Sequence, residues 1–383
     1  MSSVKSSAVF HALFAFVFFV SGLVVNSIQL LLFAILWPLN CKDLFRKINY
    51  YLSYIIYSEF VFLVDWWADV QFYFYADKAD FNEYFGKEHA IFILNHKYEI
   101  DWLSAWVINE RIGTLGNCKA FSKNSLKYMP IVGWCWWFSE FLFLQRDWAK
   151  DKYTIETQLK ELFEYENPVT MLLYAEGTRF TKEKYEASLK FARSKGLLEL
   201  KEHLLPRTKG FSIGLPHFRH NLPAVYNVQL AFKQGEKPSL TTLLNGGRLE
   251  AHVFMERIPI EQVPQDEKEC DKWMYDVFEK KDKIMVSYVN TGDWFKENDV
   301  KPLEKFITPR SYMSLLNIIF WSLVTFLPFL YLSFKILISG NLLHIGLLTL
   351  LLCLIYVILS KLTSVSEIDK ASSSYGTDKQ KTK

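Results

Sequence analysis

The sequence predicts an α/β fold, a mixed sheet flanked by helices, with membrane helices at both ends. Three observations predict it. Two continuous apolar runs, Ile91 to Leu94 and Val169 to Ala175, each stop at a polar stretch, as buried strands do. From about residue 85 onward, strand patterning alternates with helical spacing. Toward each end lie long apolar stretches with almost no charge, suited to a bilayer.

The composition agrees with this division. Of 383 residues, half are hydrophobic, 17% aromatic and only 22% charged, and the excess lies toward the two ends. That length admits one large or two modest domains. A net charge of +3 with no basic run along a helix argues against a nucleic-acid partner. The five cysteines, Cys41, Cys118, Cys135, Cys270 and Cys353, have no metal-ligand spacing and read as reduced thiols facing a cytosolic environment. His217 and His220 have an HxxH spacing without an evident third ligand, so no metal is expected.

Taken in order, Ala8 to Trp37 carries no charge and lacks a convincing cleavage site, so it is read as a retained helix. Ser21, Gly22, Asn26 and Ser27 in its middle leave two courses open, a straight crossing or a bent, re-entrant one. Lys42, Arg46 and Lys47 after Pro38 put the following chain on the cytoplasmic side. Ile48 to Trp67 is aromatic-rich and suits the membrane interface. After the first strand, Lys119 to Trp148 reads as a basic loop, then Pro130 to Gly133, an aromatic cluster (Trp134, Trp136, Trp137, Phe138) and Phe143 to Asp147. Residues 151–166 form a helix with Ile155, Leu159, Leu162 and Phe163 on one side, and residues 183–195 another, capped by Gly196. Tyr226 to Phe232 and Leu249 to Met255 alternate as half-buried strands. Trp273, Val277, Ile284 and Tyr288 mark an amphipathic helix that closes the domain. Ser314 to Ile338 and Leu342 to Ser360, joined by Ser339-Gly340-Asn341, read as an antiparallel transmembrane hairpin. The polar tail from Ser364 is expected to be disordered, and its last residues, Lys379 to Lys383, resemble a Lys-x-Lys-x-x retrieval signal of the endoplasmic reticulum. The chain thus divides into residues 1–70 (membrane-embedded or interfacial helices), 71–307 (a cytosol-facing domain), 308–362 (the hairpin) and 363–383 (the tail).

The chemistry begins where the first strand ends, at Asn95-His96-Lys97-Tyr98-Glu99-Ile100-Asp101. Five residues turn a helix through about 500°, so His96 and Asp101 cannot share one helical face. They can meet if His96 sits on the turn and Asp101 in the first turn of the next helix, leaving one imidazole nitrogen to act as a base. Glu99 is the competing orienting acid. The second strand ends in Glu176-Gly177-Thr178-Arg179, where the glycine permits a tight turn and the arginine offers a donor fork matched to phosphate. Lys123 and Arg146 add charge, and Glu176 reads as a brace for Arg179. Arg207 and Lys209 read as solvated cations. No serine or cysteine stands in a GxSxG elbow, so the substrate's own hydroxyl is the expected nucleophile.

Asn95 to Asp101 resembles the NHxxxxD box of the glycerolipid acyltransferases. Lys123 with Pro130, Gly133 and Phe143 to Arg146 is similar to that family's second block, Glu176 to Arg179 to its third, and Leu222 to Val225 to its fourth. Leu204 to Phe211 and the C-terminal hairpin with Ser366 to Lys370 resemble the gamma/delta type among the animal members of this family. The resemblance implies a PlsC-type fold and transfer of an acyl group from acyl-CoA, a co-substrate, to the sn-2 hydroxyl of lysophosphatidic acid, with no cofactor. It implies His96 as general base, Asp101 as its orienting acid, and Arg179, Lys123 and Arg146 as phosphate ligands, with Asn95, Glu176, Gly177 and Thr178 in support. The apolar segments and the lysine-bearing tail point to a multi-pass protein in the endoplasmic reticulum membrane, with the Golgi as the alternative. The alternatives are acylation of another lysophospholipid, such as lysophosphatidylinositol or a lysocardiolipin, and a non-enzymatic membrane scaffold.

Overall fold

The computed structural model describes residues 2–145 and 148–367. Helix α1 (Ala8–Leu36) runs unbroken for 29 residues. Among its small and polar residues, Ser21, Gly22, Asn26 and Gln29 are buried in a contact face, whereas Ser27 is exposed. Gln29 accepts a hydrogen bond from Asn26 at 2.7 Å and donates one to Asn49 of α2 (Lys42–Phe62), also at 2.7 Å. The aromatic residues of α2 serve the core as well as the surface. Tyr57, for one, stacks on Trp106 with ring centroids 4.3 Å apart.

The sheet is mixed and eight-stranded, in the order β4-β3-β5-β2-β6-β7-β1-β8. Its strands are β1 (Gln71–Ala76), β2 (Ala90–Leu94), β3 (Cys118–Lys123), β4 (Leu142–Leu144), β5 (Thr170–Leu173), β6 (Ala224–Phe232), β7 (Glu250–Pro259) and β8 (Glu304–Phe306). β4, β3, β5, β2 and β6 run parallel, whereas β7 is antiparallel to β6. The continuous apolar run of β2 follows from burial on both faces. Ala90, Phe92 and Leu94 join the core shared with α1, α2 and α3 (Asp101–Ile112), while Ile91 and Ile93 join the core on the other face. That second core includes α5 (Trp148–Leu162), which follows the short α4 (Val132–Phe138), and α7 (Glu267–Thr291), which follows α6 (Lys182–Lys195).

Two expectations about the strands change. β6 is buried along its whole length, and its polar residues find partners for their amide donors inside: Gln229 Nε2 donates to the Lys281 carbonyl at 2.9 Å and Asn227 Nδ2 to Glu256 Oε2 at 3.2 Å. The basic loop at Lys119 is strand β3, whose Lys119 lies buried with its ammonium 2.6 Å from the Ser139 carbonyl.

The C-terminal helices α8 (Tyr312–Ile338) and α9 (Leu342–Glu367) are joined by a tight turn at Gly340, where φ is +66°. Helices α1 and α8 are long and apolar enough to cross a membrane, and only 22% and 17% of their most apolar windows are buried, unlike the core helices of a soluble domain. We therefore read the chain as a membrane protein. The described apolar part of α9 is Leu342–Leu354, and the expected retrieval signal lies outside the described residues.

Candidate active site

The parallel strands β2, β5 and β3 deliver their carboxyl ends to one edge of the sheet, where open α/β folds gather reacting groups. At the end of β2, buried Asn95 closes a two-way bridge to β6. Its Nδ2 donates to the Leu230 carbonyl at 2.9 Å and its Oδ1 accepts from the Leu230 amide at 2.8 Å. Asn95→Ala would leave both backbone groups unpaired in the interior, an expected loss of roughly 2–4 kcal/mol of stability. Thermal unfolding of the purified variant in detergent checks this, and an unchanged Tm would make the bridge dispensable.

His96 is pinned by its backbone to the turn after β5. Its amide donates to Glu176 Oε1 at 2.8 Å and its carbonyl accepts from the Phe180 amide at 2.7 Å. The imidazole, 26% exposed, lies against Tyr174 with ring centroids 4.7 Å apart, and its Nδ1 is 3.0 Å from Asp101 Oδ2. Asp101 is the first residue of α3, where the helix dipole favours an anion, and the same oxygen accepts the Tyr98 amide at 2.8 Å. Because a carboxylate can only accept, the Nδ1 proton points at it and Nε2 is left as the basic nitrogen; this tautomer is inferred from the partner. Burial pushes the Asp101 carboxyl up from its ordinary range, while the imidazole and the Tyr98 and Lys97 amides oppose that shift.

Glu176 is a brace, but for another partner than Arg179. Its second oxygen accepts the Leu204 amide at 2.9 Å, so this one carboxyl group ties the His96 turn to the 204–207 segment. Burial pushes it up to about 7 despite the two amide donors. Gly177 takes φ +69°, and Thr178 accepts the Lys184 ammonium at 2.6 Å. Arg179 follows on the same turn, half-buried. Lys123 is exposed at the end of β3, which continues three residues beyond its Ala120–Leu172 pair with β5 and so brings Lys123 level with Ala175. Arg146 lies outside the described residues.

The structure thus joins His96, Asp101 and Glu176 through direct hydrogen bonds and sets Gly177 and Arg179 on the adjoining turn. What the sequence reading missed is the role of the 204–207 segment. The signal available was Gly177 itself, since a glycine at a strand-end turn implies that something approaches its backbone closely. Among the described residues, no group of three metal-ligating side chains occurs.

A family model described as "Acyltransferase" matches residues 76–212, and one described as "Acyltransferase C-terminus" matches residues 242–321. The chain is 40% identical over 379 residues to the 1-acyl-sn-glycerol-3-phosphate acyltransferase delta of Homo sapiens, covering 99% of this chain and 97% of that one. It is 41% identical to the delta protein of Mus musculus over 97% of this chain and 96% of that one. It is 39% identical to the gamma protein of Homo sapiens over 100% and 99%. A crystal structure of a 1-acyl-sn-glycerophosphate acyltransferase from Thermotoga maritima aligns with 69% of this chain and 97% of that one, at 13% identity and a TM-score of 0.35, too low to carry an argument.

Proposed function

From the chain's membership of the acyltransferase family, shown by full-length relatives at about 40% identity, we propose that it acylates the sn-2 hydroxyl of lysophosphatidic acid from acyl-CoA, giving phosphatidic acid. The observation that carries the mechanism is the contact of 3.0 Å between His96 Nδ1 and buried Asp101 at a strand end. His96 Nε2 takes the proton of the acceptor hydroxyl as its oxygen attacks the thioester carbonyl. The tetrahedral intermediate collapses, the C–S bond breaks, and the leaving thiolate takes the proton back from the imidazolium. Asp101 holds the tautomer and stabilises that cation. Arg179, with Lys123 and Arg146, binds the acceptor's phosphate.

On this reading residues 71–307 form a catalytic domain facing the cytosol, held at the bilayer by residues 1–70 and by the hairpin of residues 308–362. There the lysolipid enters from the membrane and acyl-CoA from water. Residues 363–383 form the tail, and the membrane is that of the endoplasmic reticulum or Golgi.

A panel of lysolipids and acyl-CoAs offered to the purified chain tests the proposal. The expected result is fastest release of coenzyme A with lysophosphatidic acid. Preference for lysophosphatidylinositol or a lysocardiolipin would redirect the substrate assignment, and no turnover of any acceptor would favour a scaffold. Arg179→Ala is expected to raise KM for lysophosphatidic acid about 10- to 100-fold, the usual worth of a charge-assisted bond. An unchanged KM would remove Arg179 from the phosphate site.

A further inference from the structure

Arg207 reads from the sequence as one more solvated cation, and it is exposed, yet its backbone and its guanidinium end are held against the turn after β5. Its amide donates to the Ala175 carbonyl at 2.7 Å, just past the end of β5. Three residues earlier, the Leu204 amide bonds to Glu176. The segment is therefore sewn to the β5 turn at two points. Next after them comes Gly177, and a Cβ built there would stand 2.8 Å from both Cδ and Nε of Arg207 and 3.2 Å from its Cζ. The guanidinium end thus rests directly on the Gly177 backbone; a side chain at 177 would push the arginine away, and the φ of +69° there already favours glycine.

The seat lies close to the chemistry. Gly177 adjoins Glu176, whose other oxygen is 2.8 Å from the His96 amide. In a 1-acylglycerol 3-phosphate, four bonds separate the sn-2 oxygen from phosphorus, so roughly 4–5 Å lies between the reacting hydroxyl and the phosphate. In the acyl donor, by contrast, the phosphates sit at the far end of the pantetheine arm from the thioester. An arginine seated beside the His96 turn therefore suits the acceptor's phosphate better than the donor's.

We infer that Arg207 is a second arginine for the acceptor's phosphate, acting with Arg179 beside the Gly177 turn, and that the pair selects phosphate monoesters over diesters. A monoester offers three non-bridging oxygens and close to two charges near neutral pH. It can satisfy two guanidinium forks, whereas a diester offers two oxygens and one charge and leaves one fork poorly matched. The inference rests on the acyltransferase reading above.

The test measures kcat and KM of the full-length chain in detergent micelles, with lysophosphatidic acid and with lysophosphatidylglycerol as acceptors. Arg207→Ala is expected to raise KM for lysophosphatidic acid about 10- to 100-fold while kcat/KM for lysophosphatidylglycerol changes far less, so discrimination collapses. Arg207→Lys, which keeps the charge without the fork, should recover only part of the loss, and it serves as the measurable variant should Arg207→Ala fold poorly. An equal loss on both acceptors, a rise confined to the KM for acyl-CoA, or no change in either variant would overturn the inference. A wild-type chain that acylates no lysophosphatidic acid would instead refute the broader reading.

Discussion

His96→Ala is expected to lower the rate of coenzyme A release by about 10²- to 10⁴-fold, the usual contribution of a positioned general base, with KM for either substrate little changed. The loss should be one of chemistry alone. Glu176 and Phe180 hold the backbone of residue 96, and those bonds survive any substitution that keeps the main chain. The imidazole is 26% exposed, so its removal opens no sealed cavity. Thermal unfolding should therefore follow the wild type while stopped-assay turnover falls. Unchanged release of coenzyme A from pure His96→Ala would end the general-base assignment. A large drop in Tm would mean that the imidazole supports the fold, and the rate would then have to be read from the correctly folded fraction.

How much of this was legible in the sequence depends on where each residue finds its partners. β2 and β5 were legible because burial on both faces demands unbroken apolar runs. The Gly196 cap and the face of α5 bearing Ile155 and Leu159 were legible because helical periodicity is local. β3 was not, since Lys119 and Lys123 look like a solvated loop until Lys119 is seen sealed inside, its ammonium on the Ser139 carbonyl and over the Tyr165 ring. β6 was misjudged for the same reason: Gln229 looks like a solvent-facing residue, yet a helix supplies its hydrogen bond. In the site, the His96–Asp101 contact spans five positions and follows from a turn and a helix start. The Glu176 bonds span 80 and 28 positions, and the seat of Arg207 on Gly177 is set by the same folding of the chain. No pattern along the chain encodes such pairings, which exist only once β5 and β2 are side by side.

Asp101→Asn is the sharper test, because it changes one atom and should separate catalysis from stability. The Asp101 oxygen accepts from both Tyr98 N, at 2.8 Å, and His96 Nδ1, at 3.0 Å. In the variant the amide oxygen can take the place of Oδ2 and keep both bonds, which puts its NH₂ where Asp101 Oδ1 has no hydrogen-bond partner among the described residues. Nδ1 then goes on donating and Nε2 stays basic, but the negative charge that stabilised the imidazolium is lost. A close ion pair is worth about 4 kcal/mol at an effective dielectric near 20, so a fall of at most about 10³-fold in kcat is expected. Stability should move the other way. Burial raises the Asp101 carboxyl above its ordinary 3.8, so the folded state holds its proton more tightly than the unfolded chain does. The stability this group contributes is present below that pKa and is lost as pH rises through the folded value. A neutral asparagine removes that loss, so near pH 7 the variant should melt no lower than the wild type while turning over far more slowly. His96→Ala combined with Asp101→Asn should then be no slower than His96→Ala alone, because the two residues act as one unit. Additive losses in the double variant would show that Asp101 works independently of the base, and a lower Tm for Asp101→Asn would show that the carboxylate is held for the fold.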